Sequence, residues 1–121
     1  WRKGATQAGL INLTKKLSVL LGHYGITANV VEPGGVWSDG RTRGGRTRME
    51  MRTEELQRAA EQQGITFEAA EQQYLDTLVI GRRIVAEDTA DIILFVASER
   101  AATITGEVLV ADGGQTPAVR F

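Results

Sequence analysis

Twice in this chain a helical stretch of apolar residues runs into a short apolar strand that stops at glycines. From Gly4 to Leu21, the residues Leu10, Leu13, Leu17, Leu20 and Leu21 recur at intervals of three and four, the stripe of an amphipathic helix. Gly22 and Gly25 mark its exit. The segment Ile26 to Glu32 is rich in β-formers and closes on Pro33-Gly34-Gly35, so it is predicted to be a strand running into a loop. The same order returns at the end of the chain. Glu87 to Ser98 is predicted helical, with Glu87 and Asp88 in its acidic first turn. Gly106 then precedes Val108-Leu109-Val110-Ala111, and Asp112-Gly113-Gly114 ends the strand. Both apolar runs are nearly continuous, as expected of strands with both faces covered by helices. The fold class that follows is α/β: a partial Rossmann-like layer in which two adjacent parallel strands, 26–32 and 106–111, are flanked by the helices 4–21 and 87–98.

Between the two units lies a segment of different character, 38–80. Ser38 to Arg52 is polar and Arg-rich and is expected to be a mobile loop. Thr53 is the expected N-cap of a helix ending at Gln63, and Thr66 that of a second helix carrying Phe67, Ala70, Tyr74 and Leu78 on one face. Two thinly apolar helices of this kind suggest a flap over a site, with Trp37 at its mouth.

Length and composition narrow the function classes. With 121 residues, 42% of them hydrophobic, one core is feasible and a second is not, so residues 1–121 are taken as a single half-domain containing the flap. There is no cysteine and His23 is the lone histidine, which excludes thiolate metal sites, disulfides and a histidine cluster. No metal site is therefore expected. No apolar run approaches the roughly 20 residues that span a bilayer, so no membrane partner and a cytoplasmic location are expected.

Charge is balanced overall, at a net -1, but not locally. Arg41, Arg43, Arg46, Arg48 and Arg52 precede a block of acids comprising Glu54, Glu55, Glu61, Glu68, Glu71 and Asp76. Neighbouring blocks of opposite sign pair with each other or solvate a surface, while an Arg cluster can also bind phosphate oxygens. A pI near 5.9 argues against a nucleic-acid partner.

Three motifs in order resemble the C-terminal half of a short-chain dehydrogenase/reductase (SDR), an NAD(P)-dependent oxidoreductase family. Gly4-Ala5-Thr6-Gln7-Ala8-Gly9-Leu10 with Leu13-Thr14 is similar to the family's active-site helix. Gly25-Ile26-Thr27-Ala28-Asn29-Val30-Val31-Glu32-Pro33-Gly34 is similar to the strand and loop that follow it. Glu87 to Ser98, with Ile104 to Gly114, resembles its closing helix and strand. The resemblance implies NAD(P) as cofactor. It places Pro33, Gly34, Val36 and Ser38 at the nicotinamide end, a backbone amide near Val36 meeting the carboxamide and a hydroxyl at Ser38 closing over it. It also implies that the glycine-rich phosphate turn and the catalytic serine belong to sequence upstream of residue 1.

The same alignment puts Lys3 where the family has its acid-base tyrosine and Gln7 where it has the lysine. A neutral Gln7 cannot depress a neighbour's pKa. No catalytic residue is therefore assigned, and the isolated chain is expected to be inactive, either a degenerate SDR form, an incomplete record of an active one, or a non-catalytic assembly module. An apolar strand with an open edge is an aggregation hazard, so a homo-oligomer, a dimer first of all, is expected. The substrate is left open.

Overall fold

A computed structural model of the chain describes residues 2–41 and 44–115, the side chains of 2 and 3 excepted. In chain order the elements are α1 (Arg2–Leu21), β1 (Val30–Pro33), β2 (Val36–Trp37), α2 (Arg48–Gln63), α3 (Phe67–Asp76), β3 (Ile84–Val85), α4 (Ala86–Val96) and β4 (Val108–Ala111). Single 3-10 turns follow α1 at Gly22–Tyr24 and α4 at Glu99–Ala101. The chain forms two compact units: residues up to 32 with 89–111, and residues 33–88 with 112 onward.

In the first unit β1 pairs with β4. Gly106 N–H donates to Ala28 O at 2.7 Å and Val30 N–H to Glu107 O at 2.8 Å; the partners advance together, so the segments run parallel. Between these bonds the Asn29 amide substitutes for backbone. It donates to Ile104 O at 2.8 Å and accepts from Glu107 N–H at 3.1 Å. The expected pair of adjacent parallel strands is therefore present, shorter than the apolar runs suggested.

The burial of the flanking helices differs from expectation. On α1, Leu10, Leu13 and Leu20 are each at least half exposed, and on α4 so are Ile93 and Leu94. Among the described residues of the first unit, Thr14 and Ala101 are the two with buried side chains. Thr14 Oγ1 satisfies itself on Leu10 O at 2.9 Å. Periodicity sets which side chains share a face, but not whether a neighbour covers it.

The second unit holds the packed core: Trp37, Leu56, Ala60, Ala70, Leu78 and Ile84 are all buried. It contains a second parallel pair that the sequence reading missed, β2 on β3, with Val36 opposite Ile84 and Trp37 opposite Val85. Two-residue strands have no alternation to detect. The helix starts also need one correction. α2 begins at Arg48 and not after Thr53, because Thr47 and Glu50 form a capping box: Thr47 Oγ1 accepts from Glu50 N–H at 3.0 Å and Glu50 returns the bond to Thr47 N–H at 2.9 Å. The last part of the presumed mobile loop is thus the first turn of a helix. Thr66 caps α3 as expected, accepting from Ala69 N–H at 3.2 Å.

Candidate functional site

The residues singled out for cofactor contact, Pro33, Gly34, Val36 and Ser38, all lie in the second unit, at the exit of β1. Gly34 permits a close approach: a Cβ there would stand 2.7 Å from the Asp112 Cα and 3.2 Å from Ile84 Cδ1. The loop therefore rests directly on the Asp112-Gly113-Gly114 turn. That turn is held by Gly114 N–H on the Asp112 carboxylate at 2.9 Å and by Ile80 N–H on Gly113 O at 3.2 Å. Gly113 and Gly114 take φ of 64° and 78°, values open to glycine at no steric cost.

Val36 N–H donates to Gly34 O at 2.9 Å, so the amide expected to meet a carboxamide already closes a tight turn. Ser38 anchors the next stretch: its Oγ accepts from Gly40 N–H at 3.0 Å and its carbonyl from Met49 N–H at 2.9 Å. A hydroxyl that accepts one bond retains its own hydrogen for donation. The exit loop is thus tied to the start of α2.

Trp37 is not the exposed aromatic expected at a flap mouth. It is 4% exposed and stands in the middle of a stack of six side chains. Arg83 lies over its ring at 4.2 Å from the centroid, and Tyr74 meets it at 6.4 Å with the rings tilted by 53°. Each ring is faced by a guanidinium, and each guanidinium by a carboxylate. Arg52 lies 5.9 Å from the Tyr74 centroid and pairs with Glu55 at 2.9 Å; Arg83 pairs with Glu71. Cations over ring faces are attracted by the ring quadrupole, and the carboxylates hold the guanidinium planes. Nothing in the sequence alone could assemble this stack, since it draws on residues 37, 52, 55, 71, 74 and 83.

Other charges of the Arg-rich stretch also have local partners. Arg46 pairs with Glu54, a pairing between the two charge blocks, while Arg41 donates to a backbone carbonyl, Gly45 O, at 2.6 Å; Arg43 lies outside the described residues. Near β3, Arg82 holds both oxygens of Asp88 at 2.8 Å, and Val85 N–H donates to the same carboxylate at 2.9 Å. The Arg82 hydrogen bonds, then the Val85 bond, lower the Asp88 pKa from 3.8 to about 2. This carboxylate is an ionised helix-start anchor, unsuited to proton transfer near neutrality.

Lys3 and Gln7, which the sequence resemblance set against the family's acid-base pair, are in α1 of the first unit. Gln7 is exposed, and only the backbone of Lys3 is described. Among the described residues no group of three or more His, Cys, Asp or Glu could hold a metal ion, and no helix is long and apolar enough to cross a membrane.

Comparison with known proteins gives this geometry its context. The family model described as enoyl-(acyl carrier protein) reductase matches residues 51–116. The chain is 32% identical over 112 residues to the NADPH-dependent reductase BacG of Bacillus subtilis, covering 93% of this chain and 39% of that protein. To the 3-oxoacyl-[acyl-carrier-protein] reductase FabG of Rickettsia felis it is 34% identical over 110 residues, 91% of this chain and 36% of the relative. A solved short-chain dehydrogenase family protein from Francisella tularensis superposes with a TM-score of 0.68 at 25% identity, over 94% of this chain and 43% of its own. The chain therefore spans well under half the length of the relatives it matches. The helix–strand order, the parallel pairs and these matches agree, and the chain belongs to the short-chain dehydrogenase/reductase family.

Proposed function

We propose that these residues form the C-terminal part of an NAD(P)-dependent oxidoreductase, with the loop Pro33–Ser38 at the nicotinamide end of the cofactor and residues 38–80 as the substrate-side flap. The carrying observation is the loop itself: a strand exit made rigid by Gly34 against Asp112 and by Ser38 on α2. It leaves the Ser38 hydroxyl hydrogen to donate. The Val36 amide reaches a ligand only by giving up its bond to Gly34 O. Bound NAD(P)H would supply a hydride. The chain's own part is to orient the ring end and to limit water around it. NADPH dependence in the name of the Bacillus relative supports this cofactor class.

As an isolated chain it is expected to be catalytically silent. Gln7 offers no charge to lower a neighbour's pKa, and a dinucleotide is anchored mainly through its pyrophosphate at a glycine-rich helix start, which the described residues do not provide. Calorimetric titration with NADH and NADPH tests this: micromolar binding by the 121 residues would defeat it. The double variant Lys3→Tyr with Gln7→Lys is expected to show no turnover either, and restored turnover would overturn the reading.

A second reading, an assembly role as a homodimer, draws on the exposed apolar residues of α1 and α4. Burying side chains of that size contributes roughly 1.5–3 kcal/mol each, and a two-fold arrangement is the commonest closed assembly. Sedimentation equilibrium at micromolar concentration decides it; a stable, non-aggregating monomer would remove this reading.

A further inference from the structure

Gly35 is the point where the flap grips the loop. It is buried, and its backbone is free of the positive φ that would by itself demand glycine. What demands glycine is the space: a Cβ there would lie 2.5 Å from an Arg52 guanidinium nitrogen and 2.8 Å from the Tyr74 hydroxyl oxygen. Those two groups come from different helices, α2 and α3, and both stand where the side chain of residue 35 would be. The Tyr74 hydroxyl also donates to Gly35 O at 3.4 Å, a long bond of modest strength. Filling of space, more than this bond, fixes the carbonyl. Directly beyond it, Val36 N–H closes on Gly34 O and Trp37 enters the aromatic stack.

We propose that Arg52 and Tyr74 are positioning residues for the loop Gly34–Ser38, acting by occupying the side-chain space that Gly35 leaves empty. On the reading given above for this loop, the flap then sets how the Val36 amide and the Ser38 hydroxyl present themselves to a cofactor. A change in the flap at α2 or α3 is transmitted to that end of the site through two side-chain tips and not through backbone bonds. The link is also cheap to disturb. The tips of Arg52 and Tyr74 can swing away, whereas the backbone of Asp112 beside Gly34 cannot.

The test needs no ligand, so its failure is separable from failure of the cofactor reading, which the NADPH titration addresses. In a Trp1→Phe background Trp37 is the sole indole, and its emission reports the stack. Gly35→Ala is expected to fold with an unchanged far-ultraviolet spectrum and a shifted Trp37 emission. Amide exchange followed residue by residue should quicken at Val36 by about two- to twelvefold, the range of one modest hydrogen bond, with Ile65 and Gly64 at the far end of α2 unchanged. Tyr74→Phe retains the ring and loses only the hydroxyl; it should quicken Val36 exchange while leaving the emission close to that of the parent. If Tyr74 acted through its ring alone, with no part for the hydroxyl that fills the space beside Gly35, Val36 exchange would stay unmoved in Tyr74→Phe. Should Gly35→Ala unfold, Arg52→Gln replaces it, with the same expected quickening at Val36. Unchanged Val36 exchange in both Tyr74→Phe and the folded companion variant overturns the proposal.

Discussion

At the scale of single residues, two adjacent glycines have different physical reasons. Gly34 faces backbone: the Cα of Asp112 lies 2.7 Å from where its Cβ would be. Overpacking against atoms that cannot rotate away typically costs about 1–3 kcal/mol, and Gly34→Ala is expected to lower stability by that amount in a chemical denaturation. Gly35 faces only side-chain tips, and Gly35→Ala is expected to cost less than Gly34→Ala in the same measurement. The sequence displays both as a strand-ending Pro-Gly-Gly and cannot tell them apart. The difference depends on Asp112, Arg52 and Tyr74, which are distant in the chain. Asn29 is a similar case. Read as one polar position in a β-rich run, it proves to bridge Ile104 and Glu107 with its side-chain amide, a role visible only once the partner segment is in place.

Among the elements, helix starts were readable where the signal is local and misplaced where two signals compete. Thr66 caps α3 as its position suggests. For α2, Thr47 with Glu50 satisfies both halves of a capping box, while Thr53 is followed three residues later by Leu56, which cannot return a bond. The Arg-rich composition around Thr47 disguised the true start as loop. Thr47→Ala is accordingly expected to lower the thermal midpoint, at a cost of about 0.5–2 kcal/mol, whereas Thr53→Ala should leave it within error. The strands β2 and β3 were missed because residues 36–37 and 84–85 find each other across the whole of 38–80, and neither is long enough to declare itself. The start of α4 gives a pH expectation. The Asp88 pKa is lowered from 3.8 to about 2, so its contribution is fully present above pH 3.8 and is lost as pH falls through about 2. In Asp88→Asn the stability curve should be flatter over that acid range than in the parent, by denaturant midpoints measured at each pH.

On the scale of the whole molecule, the two helix–strand units correctly foretold an α/β protein with adjacent parallel strands, and the family resemblance followed from the same motifs. The distribution of the core did not follow. The segment that composition marks as an appendage, 38–80, buries Leu56, Ala60, Ala70 and Leu78, and Trp37 and Ile84 at its flanks are buried in the same unit. The stripes of α1 and α4 stay largely in water. Apolar content is a property of sequence, while burial needs a covering neighbour, and for these two helices the described residues supply few. Hydrogen exchange is therefore expected to show its slowest amides in α2 and α3 of the second unit, not in α1.

The contact of Gly34 with Asp112 also governs how this protein can be recombined. The chain passes between the two units three times, at 32/33, 88/89 and 111/112, so the second unit is not one continuous cassette. A chimera that imports residues 33–88 from a relative brings a new Gly34 loop and new helices α2 and α3, but leaves the loop against the resident turn at Asp112–Gly114. The backbone fit at Gly34 is then made between two parents. Grafts that carry the 112–114 turn together with 33–88 should fold where grafts of 33–88 alone do not, and inheritance of 33–88 is thereby linked to a tripeptide far downstream.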